Sequence, residues 1–388
     1  MIQRRFGDGA TDNVIGVHPS WPACNRGAAR VVAALLILFA APSCGSVPDD
    51  RPAASGTSGG PSTATSSTTG AGGANTGTAG ATGTGGTTPL DDCSAPTTTV
   101  LADKQEQITS VALDAETVYW GNQDLDANRI LTIPKAGGNV AILATTPQPS
   151  TNLVVDDTRV YWSEDTGDTT TIYSVAKASG PSTPAQLAMT TTGACSGLSV
   201  DSDHVYWASG HRIYSLPKSG GAAPTEFVKP SPVMNYDRRG VLADHDRVYW
   251  LEGNARIVSL PRSGVGPQHI TSLVSHAHRF VIGAYEFYLG DPLGVPQDSG
   301  ELFATPKDGG AGTVLVGAMD GVVEIAVNSS CVYWTTSQNG IRLQAVPALG
   351  GDPVTLAQVG ASGAVIAADE SGVYWGERDT HRLMRAIK

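Results

Sequence analysis

The sequence predicts an all-β fold for residues 93–388, and three repeating features carry that reading. The first is a marker triplet, Val118-Tyr119-Trp120, which returns at Val160-Tyr161-Trp162, Val205-Tyr206-Trp207, Val248-Tyr249-Trp250, Val332-Tyr333-Trp334 and Val373-Tyr374-Trp375, with a degenerate copy at Phe287-Tyr288-Leu289. The second is a turn former six residues before the third marker position: Asp114, Asp156, Asp201, Asp244, Gly283, Asn328 and Asp369. The third is a hairpin sequence, Pro134-Lys135-Ala136-Gly137-Gly138, repeated at Pro217 to Gly221 and Pro306 to Gly310, with looser copies at Ala176, Pro261 and Pro347. Glycine in such turns supplies the positive φ that a tight hairpin needs.

Markers are spaced by 42, 45, 43, 39, 45 and 41 residues, the length of one four-stranded sheet in a radial repeat. The first unit reads as strands over Thr109–Leu113, Thr117–Trp120, Arg129–Pro134 and Asn139–Leu143. Val, Tyr and Trp favour strands, and an unbroken apolar triplet means that both faces of the sheet are covered. Neighbouring sheets supply that cover. The last unit stops at Ile387-Lys388, after only its third strand, while Thr97 to Ala102 resembles the fourth strands of other units. The fold expected is therefore a seven-bladed β-propeller closed by an N-terminal outer strand, since closure removes an edge open to aggregation.

Composition agrees. Gly is 46 of 388 residues, about 12% against the usual ~7%, and the charged fraction of 16% excludes long solvated helices and coiled coils. The net charge is −11, and residues 1–43 carry a local +2, leaving −13 for the remainder. An acidic body without a basic patch is a poor nucleic-acid binder.

The N-terminal part reads as an address. Val31 to Ala41 is an apolar run of eleven after Arg26 and Arg30, too short for a bilayer span, which needs about twenty, and suited to a secretory signal core. Ala41-Pro42-Ser43-Cys44 resembles a bacterial lipobox, which makes Cys44 the expected acylated residue, and Gly45 after it favours the outer membrane over the inner. Residues 1–43 are thus expected to be a signal peptide and 44–92 a lipid-anchored linker, whose Ser, Thr, Gly, Ala and Pro cannot bury enough apolar surface to fold. Such a tether reaches roughly 40 Å on average. An exported lipoprotein of the outer membrane follows, facing the periplasm or the cell surface, with a monomeric propeller.

The markers resemble the YWTD-type propeller repeats of cell-surface receptors and, more closely, bacterial propeller lipoproteins built from Val-Tyr-Trp repeats. The resemblance implies the architecture alone. YWTD propellers close with six blades, and here only Thr335 matches the Thr of that motif while Asn122, Glu164 and Glu252 stand where its Asp would.

Chemistry is harder to find. The repeated Asp residues recur one per unit, so they would stand far apart around a ring and suit turn capping rather than one shared calcium ion. His276 and His278 could share a strand face, but no third ligand is fixed beside them; a metal, a polar channel lining and a solvated loop remain open readings. No metal or other cofactor is assigned. No Ser-His-Asp, G-x-S-x-G, H-E-x-x-H or phosphate-loop signature occurs, so no catalytic residue is named. Of the three cysteines beyond the anchor, Cys93 and Cys331 fall on one side of the predicted propeller and Cys195 on the other. A Cys93–Cys331 bridge or three free thiols are the alternatives.

The polar residues that the repeat alignment gathers at one channel mouth are Arg279 and Glu324, one each from the innermost strands of units 5 and 6, expected to pair. His276, His278, Asp237, Arg238, Arg239 and Asp320 come from neighbouring loops. The function expected is a non-catalytic binding module for a protein or glycan. The alternative is a propeller hydrolase or lyase with its active site at that mouth.

Overall fold

The computed structural model describes residues 93–387 except 95–96, 179, 229–237, 254–255, 267–268, 274–278, 284, 291–298, 308–311, 321, 337–340 and 361–363, and only the backbone at 269–273, 285–290, 299–300 and 318–320. The leader, Cys44 and the linker, as well as Asp237, His276 and His278, lie outside the described residues.

All regular structure among the described residues is β. It forms seven four-stranded antiparallel sheets, six of which take their strands in chain order. Unit 1 consists of Gln107–Leu113, Thr117–Gln123, Asn128–Pro134 and Ala141–Thr146. Its fourth strand starts later than the sequence suggests, because the glycine turn extends through Asn139 and Val140. The seventh sheet breaks chain order: Thr97–Ala102 pairs antiparallel with Arg382–Ile387. The innermost strands neighbour one another in sequence order, and that of unit 7, Ala364–Asp369, packs on that of unit 1.

Strand geometry explains the marker. Successive side chains point to opposite faces, so Val and Trp of a triplet face one neighbour and Tyr the other. Trp162 lies in one core cluster with Tyr119 of the preceding unit, Trp207 with Tyr161, Trp250 with Tyr206, Trp375 with Tyr333 and Trp120 with Tyr374. All six marker tryptophans are fully buried. The core is therefore a series of layers between sheets.

A second repeat binds the sheets together. In Asp114, Oδ1 accepts the backbone N–H groups of Glu116 and Thr117 at 3.0 and 2.8 Å, capping the turn. Its Oδ2 accepts the Tyr119 hydroxyl at 2.8 Å and the ammonium of Lys177, from the hairpin of the next unit, at 2.7 Å. The same clasp joins Asp156 to Lys218, Asp201 to Arg262 at 2.5 Å, Asp244 to Lys307 at 2.9 Å and, from unit 1 to unit 7, Lys135 to Asp369. Lys135, Lys177 and Lys218 also lie over the rings of Tyr374, Tyr119 and Tyr161 at 5.5–5.9 Å. Burial opposes ionisation of Asp114, Asp156, Asp201 and Asp244, yet the cations and N–H groups around each carboxylate outweigh it and hold all four below the ordinary value of 3.8. Turn capping, the role read from sequence, is thus half of what these aspartates do.

Units 5 and 6 depart from this scheme. Gly283 replaces the turn carboxylate of unit 5, and Ala348 occupies the cation position in unit 6. Asn328 of unit 6 caps its own turn and donates Nδ2 to the Asp369 carbonyl at 2.8 Å, a neutral link to unit 7. A disulfide between Cys93 and Cys331, with Cα atoms 5.8 Å apart, joins the start of the unit 7 outer strand to unit 6. The innermost strand of unit 5, Phe280–Ile282, has only three residues.

Candidate functional site

The innermost strands begin at the end of the sheets opposite the aspartate turns, and most carry an irregularity there. Register slips between Ile108 and Ser110, Ser150 and Asn152, Cys195 and Gly197, Arg239 and Val241, and Val322 and Glu324. A bulge inserts one unpaired residue and turns local side chains away from the ladder. Here it brings Thr109, Ser110, Thr151, Asn152 and Glu324 to a cavity of about 240 Å³. Arg279, just before the short strand of unit 5, and Arg378, just after the second strand of unit 7, complete its polar wall, and Val111, Leu153, Leu198 and Val365 its apolar one. A second cavity of about 390 Å³ shares Thr151, Asn152 and Arg279 with the first and adds Ser196, Arg239 and Gly240.

Arg279 Nη2 donates to Glu324 Oε1 at 2.8 Å, linking units 5 and 6 at the mouth. The arginine side chain is 51% exposed and the glutamate 21%. Burial holds the Glu324 pKa above the usual carboxylate value, against the opposing pull of the Arg279 and Arg378 charges. Asn152 is held by Nδ2 donation to the Ser163 hydroxyl at 2.9 Å, and the Thr151 hydroxyl donates to Asp165 at 2.7 Å. The Arg378 Nε is buried and has no hydrogen-bond partner.

Arg239 lines the second cavity together with Arg279. Arg238 corrects the sequence expectation. Its guanidinium turns away from the mouth, is 4% exposed, and is held between Glu252 at 3.3 Å and the His211 carbonyl. Strand alternation dictates this, because residues 238 and 239 face opposite sides of one strand. Asp320 ends the outer strand Thr313–Asp320 of unit 5, opposite Ser299, rather than lying in a loop. Glycines at the mouth serve close approach: a Cβ on Gly197 would fall 2.4 Å from the Val241 nitrogen of the next innermost strand. Cys195 opens the innermost strand of unit 3, and its buried thiol is pushed up to about 12 mainly by burial. Among the described residues no three His, Cys, Asp or Glu side chains gather as a metal site.

Sequence reasoning missed Arg378 and the five clasp cations. The cations carry a signal: Lys or Arg directly follows the hairpin Pro or Ala at Lys135, Lys177, Lys218, Arg262 and Lys307, and its loss at Ala348 accompanies loss of the partner at Gly283. Arg378 has none, since the third position after the marker is Gln123, Asp165, Gly210 or Gly253 in units 1 to 4.

No protein-family model and no curated protein matches the chain. Among solved structures it is similar to virginiamycin B lyase from Staphylococcus aureus, with 12% identity over 75% of this chain and 98% of that one and a TM-score of 0.57. It is also similar to the WD40 β-propeller domain of Doa1, with 10% identity, 75% and 95% coverage and a TM-score of 0.54. A computationally designed protein, Ika8, matches at 12% identity, 74% and 98% coverage and a TM-score of 0.51. At such identities the likeness reports on backbone alone, and what it establishes is that the chain has a β-propeller fold.

Proposed function

We propose that this chain is a seven-bladed β-propeller, closed through its N-terminal outer strand, that binds its partner without catalysis at the mouth where the innermost strands begin. The observation that carries the reading is the mouth itself: bulges in successive innermost strands turn hydroxyl, amide and charged side chains toward two adjoining cavities. Small-ligand sites have this character, a concave surface with apolar walls and a few convergent polar groups. Seven four-stranded sheets and the pairing of Thr97–Ala102 with Arg382–Ile387 support the blade number and the closure. The chain is further proposed to be lipidated at Cys44 after removal of residues 1–43, tethered to the outer membrane by 44–92, and monomeric, taking a protein or glycan rather than nucleic acid. The lyase activity of the staphylococcal neighbour belongs to that protein, since the likeness extends only to the backbone.

The test is retention of the full chain on arrays of glycans and envelope proteins, beside an Asn152→Trp variant that fills the mouth. Retention lost in the variant, at unchanged melting temperature, supports the mouth as the site. Equal retention by both places the interaction elsewhere on the propeller. Lipidation is tested separately, by fractionating cells that express Cys44→Ser: release of the protein from the membrane is expected.

A further inference from the structure

The cavity of about 240 Å³ at the mouth is walled by unmet acceptors as well as an unmet donor. Arg279 engages Glu324 through Oε1 at 2.8 Å, and among the described residues no hydrogen bond reaches Glu324 Oε2. Asn152 donates Nδ2 to the Ser163 hydroxyl at 2.9 Å and to the Cys195 carbonyl at 3.4 Å. A carbonyl only accepts, which fixes the amide with Nδ2 toward it; Oδ1 is left without a partner among the described residues. Arg378 supplies the donor. Its Nε is buried without a hydrogen-bond partner, and its charge acts on Glu324. Buried polar groups left unmet are costly, and a ligand that meets them removes the cost.

One functional group answers both needs. A hydroxyl donates its proton and accepts at its lone pairs, so it can give to Glu324 and receive from Arg378 at once. A carboxylate or phosphate would satisfy the guanidinium but set its own acceptors against Glu324 Oε2 and Asn152 Oδ1, and an ammonium would do the reverse. The cavity also has room for far more than one bridging water, whose share of the liquid is about 30 Å³.

We propose that this cavity binds a neutral sugar, a ring that carries several hydroxyls and no charge. The proposal rests on the mouth-binding reading and names its ligand class. One hydroxyl bridges Glu324 and Arg378, a second donates to Asn152 Oδ1, and Val111, Leu153, Leu198 and Val365 cover a C–H face. Either a free monosaccharide or the end unit of a neutral glycan supplies this chemistry.

Calorimetry with the full chain tests the proposal, using the methyl glycosides of glucose, galactose and mannose, a trisaccharide ending in each, glucuronate and inorganic phosphate. At least one neutral glycoside or its trisaccharide is expected to bind at least tenfold more tightly than glucuronate or phosphate. A glycoside that suffices points to the free sugar, and binding of the trisaccharide alone points to a glycan end. Arg378→Met keeps the length of the side chain and removes its donors. It should weaken binding about tenfold, the scale of one charge-assisted contact, at an unchanged or higher melting temperature, because the free chain loses an unmet donor. Should that variant fail to fold, Arg378→Lys, which keeps one cationic donor, should weaken binding about threefold. Binding lost in Asn152→Trp but unchanged in the Arg378 variants overturns the bridged hydroxyl and keeps the mouth as the site. Tighter binding of glucuronate or phosphate overturns the neutral class. Binding that survives both Asn152→Trp and the Arg378 variants overturns the location. No binding of any neutral sugar at millimolar concentration overturns the proposal outright, while the mouth-binding reading stands or falls on array retention of the Asn152→Trp variant.

Discussion

Two seams of the molecule hold together by different means. Between units 1 and 2 a single carboxylate, Asp114, caps its turn, accepts the Tyr119 hydroxyl and pairs with Lys177 across the seam. Between units 5 and 6 both halves of that clasp are gone, replaced by Gly283 and Ala348, and the ion pair found there is Arg279 with Glu324 at the opposite end of the sheets. The seam between units 6 and 7 has a neutral Asn328 contact where the clasp would be, and the Cys93–Cys331 disulfide nearby. Where the repeated clasp lapses, another link stands in elsewhere on the seam, and at one of those two seams the substitute faces the cavity. Residues released from the repeat are the ones open to another use.

The covalent link should matter most. A disulfide closing 238 residues of chain removes much of the freedom of the unfolded state, so Cys93→Ser should cost about 2–5 kcal/mol. Deleting residues 93–103 removes the outer strand as well and should cost more than either Cys93→Ser or deletion of 45–90. Melting of the three variants checks this, and equal melting temperatures for the two deletions would show that Thr97–Ala102 contributes nothing to closure.

At a clasped seam, Asp201→Ala strips partners from Arg262, Tyr206 and two backbone N–H groups at once. A loss of about 2–4 kcal/mol is expected in urea unfolding, because the groups left behind are partly buried. Acid should act together on the clasps of Asp114, Asp156, Asp201 and Asp244. These aspartates titrate below the ordinary 3.8 in the folded chain, so near pH 4 the unfolded chain binds more protons than the folded one. The stabilisation is complete above that range and drains away as pH falls through the folded values. Melting temperatures recorded from pH 6 down to pH 2.5 should drop with a slope that Asp201→Asn makes shallower, and an unchanged slope would remove Asp201 from the account.

Smaller effects sharpen the unclasped seam. Arg279 is half exposed, so its coupling to Glu324 should not exceed about 1 kcal/mol. Arg279→Glu and Glu324→Arg should each destabilise, and the double variant should regain part of the loss; additive effects in that cycle would mean that the two charges do not interact. Installing the missing clasp through Gly283→Asp with Ala348→Lys should add about 0.3–1 kcal/mol, with neither substitution effective alone. A gain from either single change would separate that position from the clasp scheme.

Val-Tyr-Trp at steady spacing is enough to specify the sheets from sequence, because alternation along a strand forces Tyr toward one neighbour and Val and Trp toward the other. The turn residue six positions earlier is legible for the same local reason, since an Asx cap involves only the next few backbone N–H groups. Partners one unit away are not local. Lys177 reaches Asp114 across 63 residues, and only the assembled sheets bring the two within 2.7 Å. The mouth divides along the same line. Alignment of the repeat was sufficient to set Arg279 beside Glu324, because the two hold equivalent positions in adjacent units, although Arg279 falls just before the shortened innermost strand of unit 5 rather than within it. That Arg238 turns inward to Glu252 while Arg239 turns to the cavity depends on which face of the strand each residue takes, and a register slip at Gly240 helps to set this. The place of Arg378 at the cavity depends on the curvature that carries unit 7 back beside unit 1. Sequence alone thus determined what recurs within a unit, where hydrogen bonds and alternation act over a few residues; tertiary structure decided what meets between units, where the partner is chosen by packing.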